Sequence, residues 1–121
     1  MRPEDRDAGY LWDMLDAAKA VSDFVSGVRE ADYVRDRKLQ LAVERALEII
    51  GEAARRVSDP FKAAHPEVPW QQIVAQRNVL AHEYGEIKQE RIWLVATTHI
   101  PELVRMLDPL LPPLPDTDIS A

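Results

Sequence analysis

Four side chains suited to phosphate chemistry lie within a single short segment: Arg77, Asn78, His82 and Tyr84. A guanidinium binds phosphate oxygens through paired N–H groups, and an imidazole exchanges protons near neutral pH. Amide and phenol groups donate hydrogen bonds to charge that develops during a reaction. No other stretch of the chain combines these types, so this segment is the candidate site.

The same segment has the spacing of an amphipathic helix. Its apolar arc contains Trp70, Ile73, Val74, Leu80 and Ala81. Arg77 falls in the middle of that arc, where a charge is costly unless a carboxylate, a phosphate or a cleft receives it. Asn78 and His82 are four residues apart and share one flank. From residue types alone, an arginine paired with a buried glutamate and a histidine that caps the helix remain possible.

Along the chain, Arg77 and Asn78 are followed by three residues, then by His82, one further residue, Tyr84 and Gly85. Gly85 is a candidate helix end. This order resembles the signature of the HEPN superfamily, specifically its HepT-like toxin branch. Residues 50–54 and 69–73 also resemble that branch, so the resemblance covers about residues 5 to 111. One departure is Gln76, where relatives often carry a small residue; it concerns local packing more than chemistry.

HepT-like proteins are small, all-helical, metal-independent endoribonucleases, usually dimeric and silenced by a neighbouring MntA-like nucleotidyltransferase. The resemblance therefore implies the toxin of a type VII-like toxin–antitoxin system that cleaves RNA without a metal or other cofactor. It implies that His82 is a general acid or base, that Arg77 stabilises phosphoryl oxygens and that Asn78 orients either group. Tyr84 would assist the cleavage reaction or would receive AMP from the partner nucleotidyltransferase. The alternative is a non-catalytic helical subunit that binds nucleotide or serves as a scaffold for a nucleotidyltransferase.

The composition of the chain limits the number of domains, the kind of RNA-binding surface and the location that can be expected. The chain has 121 residues, 46% of them hydrophobic, a formal net charge of −6 and no cysteine. One domain is expected over residues 1–111, followed by an extended proline-rich tail over residues 112–121. A broadly basic nucleic-acid-binding surface is excluded, so any RNA contact must be local. Without a signal-peptide core or a membrane span, the expected location is the cytoplasm.

The apolar periodicity predicts an all-α, up-and-down bundle of four to five helices. A homodimer is implied by the resemblance and by the small surface that one motif offers to RNA. A twofold dimer would place two motifs in one cleft. It would also cover the apolar arc around Arg77, which in a monomer would either expose apolar surface or bury an unpaired charge. The first helix should begin after Pro3 and bury Phe24 in its apolar stripe. Asp32 is the candidate N-cap of the next helix.

Three further helices are predicted besides the first helix and the motif helix. The helix over residues 39–57 should be central, and a short helix should cover residues 61–64. The last long helix should cover residues 89–107, with His99 on its buried side and a bend near Thr97 caused by Pro101.

A row of glutamates, Glu44, Glu48 and Glu52, runs along one side of the central helix. The row is expected to face solvent and pair with neighbouring arginines; a carboxylate partner for Arg77, reached across a cleft or subunit boundary, is the alternative. Gly51 lies within this helix, where glycine costs about 1 kcal/mol relative to alanine. Either a close helix crossing or a substrate-facing surface would compensate.

Overall fold

The computed structural model describes residues 3–82 and 88–111, without the side chains of residues 3–5, 79, 81 and 82. The helices in these ranges are α1 (Pro3–Val25), α2 (Glu30–Tyr33), α3 (Arg37–Arg56), α4 (Asp59–Ala64), α5 (Trp70–His82), α6 (Gln89–Leu94) and α7 (Ile100–Leu107). A π-helical turn, Val95–His99, joins α6 to α7, and a 3₁₀ turn, Asp108–Leu110, comes after α7. The described residues contain no strand, which confirms the all-α prediction.

Helix α3 is the central element, as its regular apolar period predicted. It packs against α1 on one side and α5 on the other, while α7 packs against α1. The α3 residues in the core are Val43, Ala46, Leu47, Ile50, Ala53 and Ala54. Since α3 lies between α1 and α5, any residue on its outer face is bordered by both neighbouring helices.

The connection between α1 and α3 differs from the prediction. Helix α1 ends at Val25, and Gly27 adopts a left-handed conformation (φ +74°) that favours glycine. Asp36 caps α3 by accepting a hydrogen bond of 3.0 Å from the Leu39 amide. The prediction of Asp32 as N-cap was wrong, because Asp32 instead binds the Arg29 guanidinium at 2.9 Å.

Phe24 was also misassigned. It is 41% exposed, and Val25 takes the buried position at the end of α1. The periodicity of α1 therefore predicted the helix correctly but wrongly included Phe24 in its apolar stripe.

A buried carboxylate on α1 holds Ser58, the residue that caps the short helix α4. Asp7 accepts hydrogen bonds from the Ser58 amide at 2.8 Å and from the Ser58 hydroxyl at 2.6 Å. The Ser58 hydroxyl oxygen in turn accepts from the Phe61 amide at 3.3 Å, which caps α4. The helix consequently begins at Asp59, two residues before the predicted start.

The last helix continues through Pro101, as predicted, and the disturbance near Thr97 is the π-helical turn. The Ile100 amide bonds to the Val95 carbonyl, five residues back. The extra residue of such a turn rotates the downstream helix relative to a regular α-helix. His99 is therefore exposed, and the prediction that it lies on the buried side was wrong.

Within the ranges described, no helix is long and apolar enough to cross a membrane. The predicted tail over residues 112–121 and the predicted helix end at Gly85 lie outside the described residues. The division of the chain at residue 111 therefore stays a prediction.

Candidate active site

Arg77 lies where α5 crosses α3 most closely, directly over Gly51. A Cβ atom added to Gly51 would clash with the Cβ of Arg77, and it would lie 2.8 Å from the Arg77 Cγ and 3.2 Å from the Ile73 carbonyl oxygen. Only a residue without a side chain fits under this crossing. Of the two explanations left open for Gly51, the close crossing is therefore the one observed.

The close crossing brings Arg77 to the carboxylate of the next α3 residue. Arg77 Nη2 lies 3.3 Å from Glu52 Oε2, and the side chain of Arg77 is 29% exposed. Of the two routes expected for a glutamate of α3 to reach Arg77, across a cleft or across a subunit boundary, the structure shows a contact within one chain, between residues that line the same groove. The positive charge of Arg77 is thus compensated without a partner subunit, which removes that argument for a dimer.

Glu52 also binds the two arginines nearest its C-terminal side on α3. Its Oε1 accepts hydrogen bonds from Arg55 Nη2 at 2.8 Å and from Arg56 Nε at 3.1 Å. The bond from Arg55 has the largest effect on the pKa of Glu52; burial opposes it, but the bond from Arg56 and the charges of Arg55 and Arg77 add to the lowering, and the pKa falls to about 2. Glu52 is therefore a permanent anion at neutral pH and cannot act as a general acid there.

The charges around Glu52 do not balance. Three guanidinium groups, those of Arg55, Arg56 and Arg77, surround one carboxylate, so the cluster carries two uncompensated positive charges. We name these four residues the Glu52 cluster. The chain as a whole has a formal net charge of −6. These four residues therefore form a locally positive patch on a chain whose net charge is negative.

Asn78 contacts Arg77 directly. Arg77 Nη1 donates a hydrogen bond of 3.1 Å to Asn78 Oδ1. The guanidinium is thus held by Glu52 at one terminal nitrogen and by Asn78 at the other. His82 is the last residue of α5, five positions after Arg77, but its side chain and the whole of Tyr84 lie outside the described residues.

The two other glutamates of the row have different partners. Glu48 pairs with Arg45 at 3.3 Å, on the exposed side of α3, as expected. Glu44 was expected to face solvent, yet it is buried: its Oε2 accepts a hydrogen bond of 2.7 Å from Gln89 Nε2 and lies 3.7 Å from Arg37 Nη1. The row is therefore not one solvated face.

Gln89 joins three helices at the start of α6. It accepts a hydrogen bond of 2.9 Å from the Tyr33 hydroxyl on α2 while donating to Glu44 on α3. We name Tyr33, Glu44 and Gln89 the Gln89 clamp. Tyr33 is completely buried, and burial, assisted by the nearby charge of Glu44, raises the pKa of its hydroxyl far above the usual range. Since Gln89 lies five residues after Tyr84, the clamp fixes the chain on the C-terminal side of the candidate motif.

A groove runs over the outer face of α3 between α1 and α5. Its volume is about 350 Å³, and Arg77 forms its wall on the α5 side. Tyr10 and Asp13 form the wall on the α1 side. Among the described residues, no group of three or more histidine, aspartate or glutamate side chains is placed to hold a metal ion.

Known proteins similar to this chain are ribonucleases by name. The family model described as ribonuclease HepT-like matches residues 14–110. A candidate ribonuclease HepT from Thermococcus cleftensis is 37% identical over 94 residues, covering 78% of this chain and 86% of that protein. A candidate RNase from Caldanaerobacter subterraneus is 35% identical over 102 residues, which cover 84% of this chain and 91% of that protein. A candidate RNase from Methanocaldococcus jannaschii is 32% identical over 99 residues, which cover 82% of this chain and 91% of that protein. No solved structure gives a match. With a family model that matches most of its length, this chain belongs to the HepT-like ribonuclease family.

Proposed function

We propose that this protein is a metal-independent endoribonuclease and the toxin of a type VII-like toxin–antitoxin system. The observation that carries the proposal is the Glu52 cluster, which holds the Arg77 guanidinium in the wall of an open groove. The proposal is also supported by membership of the HepT-like family and by the position of His82 on the same helix. The toxin assignment rests on the resemblance of the motif.

In the proposed reaction, one phosphate of a single RNA strand binds at Arg77. His82 removes the proton of the adjacent 2′-hydroxyl, the 2′-oxygen attacks the phosphorus, and the bond to the 5′-oxygen breaks. A histidinium returns a proton to that leaving oxygen, which yields a 2′,3′-cyclic phosphate and a 5′-hydroxyl. Arg77 donates hydrogen bonds to the phosphoryl oxygens as their charge grows.

Glu52 and Asn78 serve this reaction through Arg77. They contact the two terminal nitrogens of its guanidinium and fix the plane in which its remaining N–H groups point. A planar, oriented guanidinium can bind two phosphate oxygens at once, which an ammonium group cannot do. We therefore place Arg77 and His82 at the reacting atoms and treat Asn78 and Glu52 as positioning residues.

Each chain contributes one motif, and we propose that the active form is a homodimer in which two motifs border one cleft. Light scattering at micromolar concentration should report twice the 13.8 kDa of the chain. A 13.8 kDa particle that cleaves RNA at the full rate would overturn the two-motif site while leaving the ribonuclease assignment intact.

The test of the activity uses the purified protein without a partner, incubated in EDTA with a single-stranded RNA and with the same strand containing 2′-deoxyribose throughout. Cleavage of the RNA alone is expected, because the 2′-oxygen is the nucleophile. His82→Ala and Arg77→Lys should lose at least about 100-fold in rate. Arg29→Lys is the matched control, since Arg29 also pairs with a carboxylate but lies on α2's N-terminal side, away from the groove.

Cleavage by the His82→Ala protein in EDTA would remove His82 from the mechanism. Absence of cleavage by the wild type, with intact binding of a nucleotidyltransferase, would favour the non-catalytic scaffold instead.

A further inference from the structure

The groove over α3 extends well beyond Arg77 and reaches the aromatic side chain of Tyr10 on α1. Tyr10 falls in the apolar period of α1, which predicts a core position. In the structure it is half-buried: it packs against the core and also forms one wall of the groove. The catalytic proposal gives no role to this ring.

The chemical character of the groove changes from one end to the other. At the α5 end, the guanidinium of Arg77 lies beside Glu52 and Arg56 of α3, which line the groove with it. The α1 end holds the ring of Tyr10 and, three residues later on the same helix, the exposed carboxylate of Asp13. The carboxylate disfavours a phosphate at that end, whereas an aromatic ring favours a flat, neutral group.

The floor between the two ends is partly apolar. Ile49, which is 38% exposed, and Ala53 lie there on α3. The α3 residues that line the groove also include Arg45 and Glu48, which pair with each other at 3.3 Å. A volume of about 350 Å³ is within the range of sites that hold small organic ligands. A nucleotide has the matching order of parts: a phosphate, a ribose and a flat base.

We propose that this groove is a nucleoside subsite for RNA, in which the phosphate binds at Arg77 and the adjoining base stacks on Tyr10. This inference rests on the proposed function, since it assigns a second contact to the same substrate. Single-stranded RNA is commonly bound by aromatic rings that stack on its bases, with little dependence on sequence. Tyr10 would thereby hold in place the base of the nucleotide whose phosphate binds at Arg77, whatever that base is.

The direct test is binding of an uncleavable probe, a 2′-O-methyl dinucleotide, followed by NMR of the tyrosine rings in the full-length protein. Stacking should shift the Tyr10 ring protons upfield. Tyr33 provides an internal control, because its ring is completely buried and should not shift. Unchanged Tyr10 signals at saturating probe would overturn the subsite.

Variants supply a second measurement. Replacing Tyr10 with leucine should weaken binding of the probe about 5- to 150-fold, the usual range for one base stacked on an aromatic ring. Tyr10→Phe should bind like the wild type, because stacking needs the ring and not the hydroxyl. Phe24→Leu is the matched control: Phe24 is an exposed aromatic residue of α1 outside the groove, and its loss should leave binding unchanged.

The outcomes separate this inference from the proposed function. A Tyr10→Leu protein that binds and cleaves RNA like the wild type would overturn the subsite and leave the ribonuclease standing. A shift of Tyr10 in a protein that cleaves no RNA would support the subsite and overturn the ribonuclease. Binding of adenosine monophosphate without binding of the dinucleotide would show a site for free nucleotides and overturn the RNA assignment.

Discussion

The Cβ atom of Arg77 lies against Gly51, so closely that no side chain fits at position 51. This contact determines how near α5 comes to α3, and therefore whether the Arg77 guanidinium reaches Glu52. A single glycine thus connects helix packing with the electrostatics of the candidate site. The arginine is oriented by the fold itself, before any substrate binds.

We predict that Gly51→Ala destabilises the protein, because the new methyl group meets Arg77 Cβ and the Ile73 carbonyl, neither of which can move alone. Overpacking of this kind costs about 1–3 kcal/mol, partly offset by the better helix propensity of alanine. Gly9→Ala is the control: Gly9 lies in α1 with nothing within 4 Å of an added Cβ, so it should be neutral or stabilising. Urea unfolding measures both. Equal stability of the two variants would contradict the close crossing.

The second prediction concerns the ionisation of Glu52. Because its folded pKa, about 2, is below that of an unfolded glutamate, its contribution to stability is full above the unfolded pKa and is lost as the pH falls through the folded value. Carboxyl NMR should give a midpoint of about 2 for Glu52. The stability difference between wild type and Glu52→Gln should be constant near neutrality and shrink only in strong acid. A midpoint at the ordinary glutamate value would mean that the Glu52 cluster does not form in solution.

The third prediction tests the Gln89 clamp. Tyr33→Phe keeps the ring, which lies 5.2 Å from that of Trp93, but leaves the Gln89 side-chain oxygen without its donor. The expected cost is about 1–2 kcal/mol. Because the folded pKa of Tyr33 is raised, the wild type should also lose stability as the pH rises above the ordinary tyrosine pKa, and this loss should be smaller in Tyr33→Phe. Identical alkaline stability curves would argue against a buried, bonded hydroxyl.

The fourth prediction concerns control of the activity. Co-expression with an adjacent nucleotidyltransferase should add the mass of one AMP group to the peptide that contains Tyr84 and should abolish RNA cleavage, because the adduct brings negative charge and bulk to the motif. Tyr84→Phe should escape the addition, whereas Tyr10→Phe should still be modified. Full neutralisation without an adduct on Tyr84 would mean that the partner acts by binding alone.

Much of the fold could be predicted from the sequence because its determinants are local. The apolar period of α3, the helical motif segment and the continuation of the last helix through Pro101 all depend on residues close together in the chain. The family resemblance likewise rests on a short, ordered motif. Asp36 was missed because Asp32 also has a suitable cap side chain, and only the structure shows Asp32 bound to Arg29.

The contacts that position the site could not be predicted in this way. The Tyr33 and Gln89 side chains meet across 56 residues, and Glu44 and Gln89 across 45. Their residue types are ordinary on a solvated helix face, so no local pattern marks them. Gly51 was a useful signal: a glycine inside a regular helix suggested either a close crossing or a substrate-facing surface, and the structure shows the crossing and the side chain, Arg77, that occupies it.

The π-helical turn at Val95–His99 divides one continuous helix into two segments with different phases. Upstream of the turn Gln89 joins α2 and α3, and downstream the buried residues of α7 pack on α1. Deleting one residue from the turn would restore a uniform helix and rotate α7 by about 100° relative to α6. The packing of α6 and α7 therefore depends more on the number of residues in the turn between them than on the types of those residues. Single-residue deletions there should be far less tolerated than substitutions of the exposed Thr98.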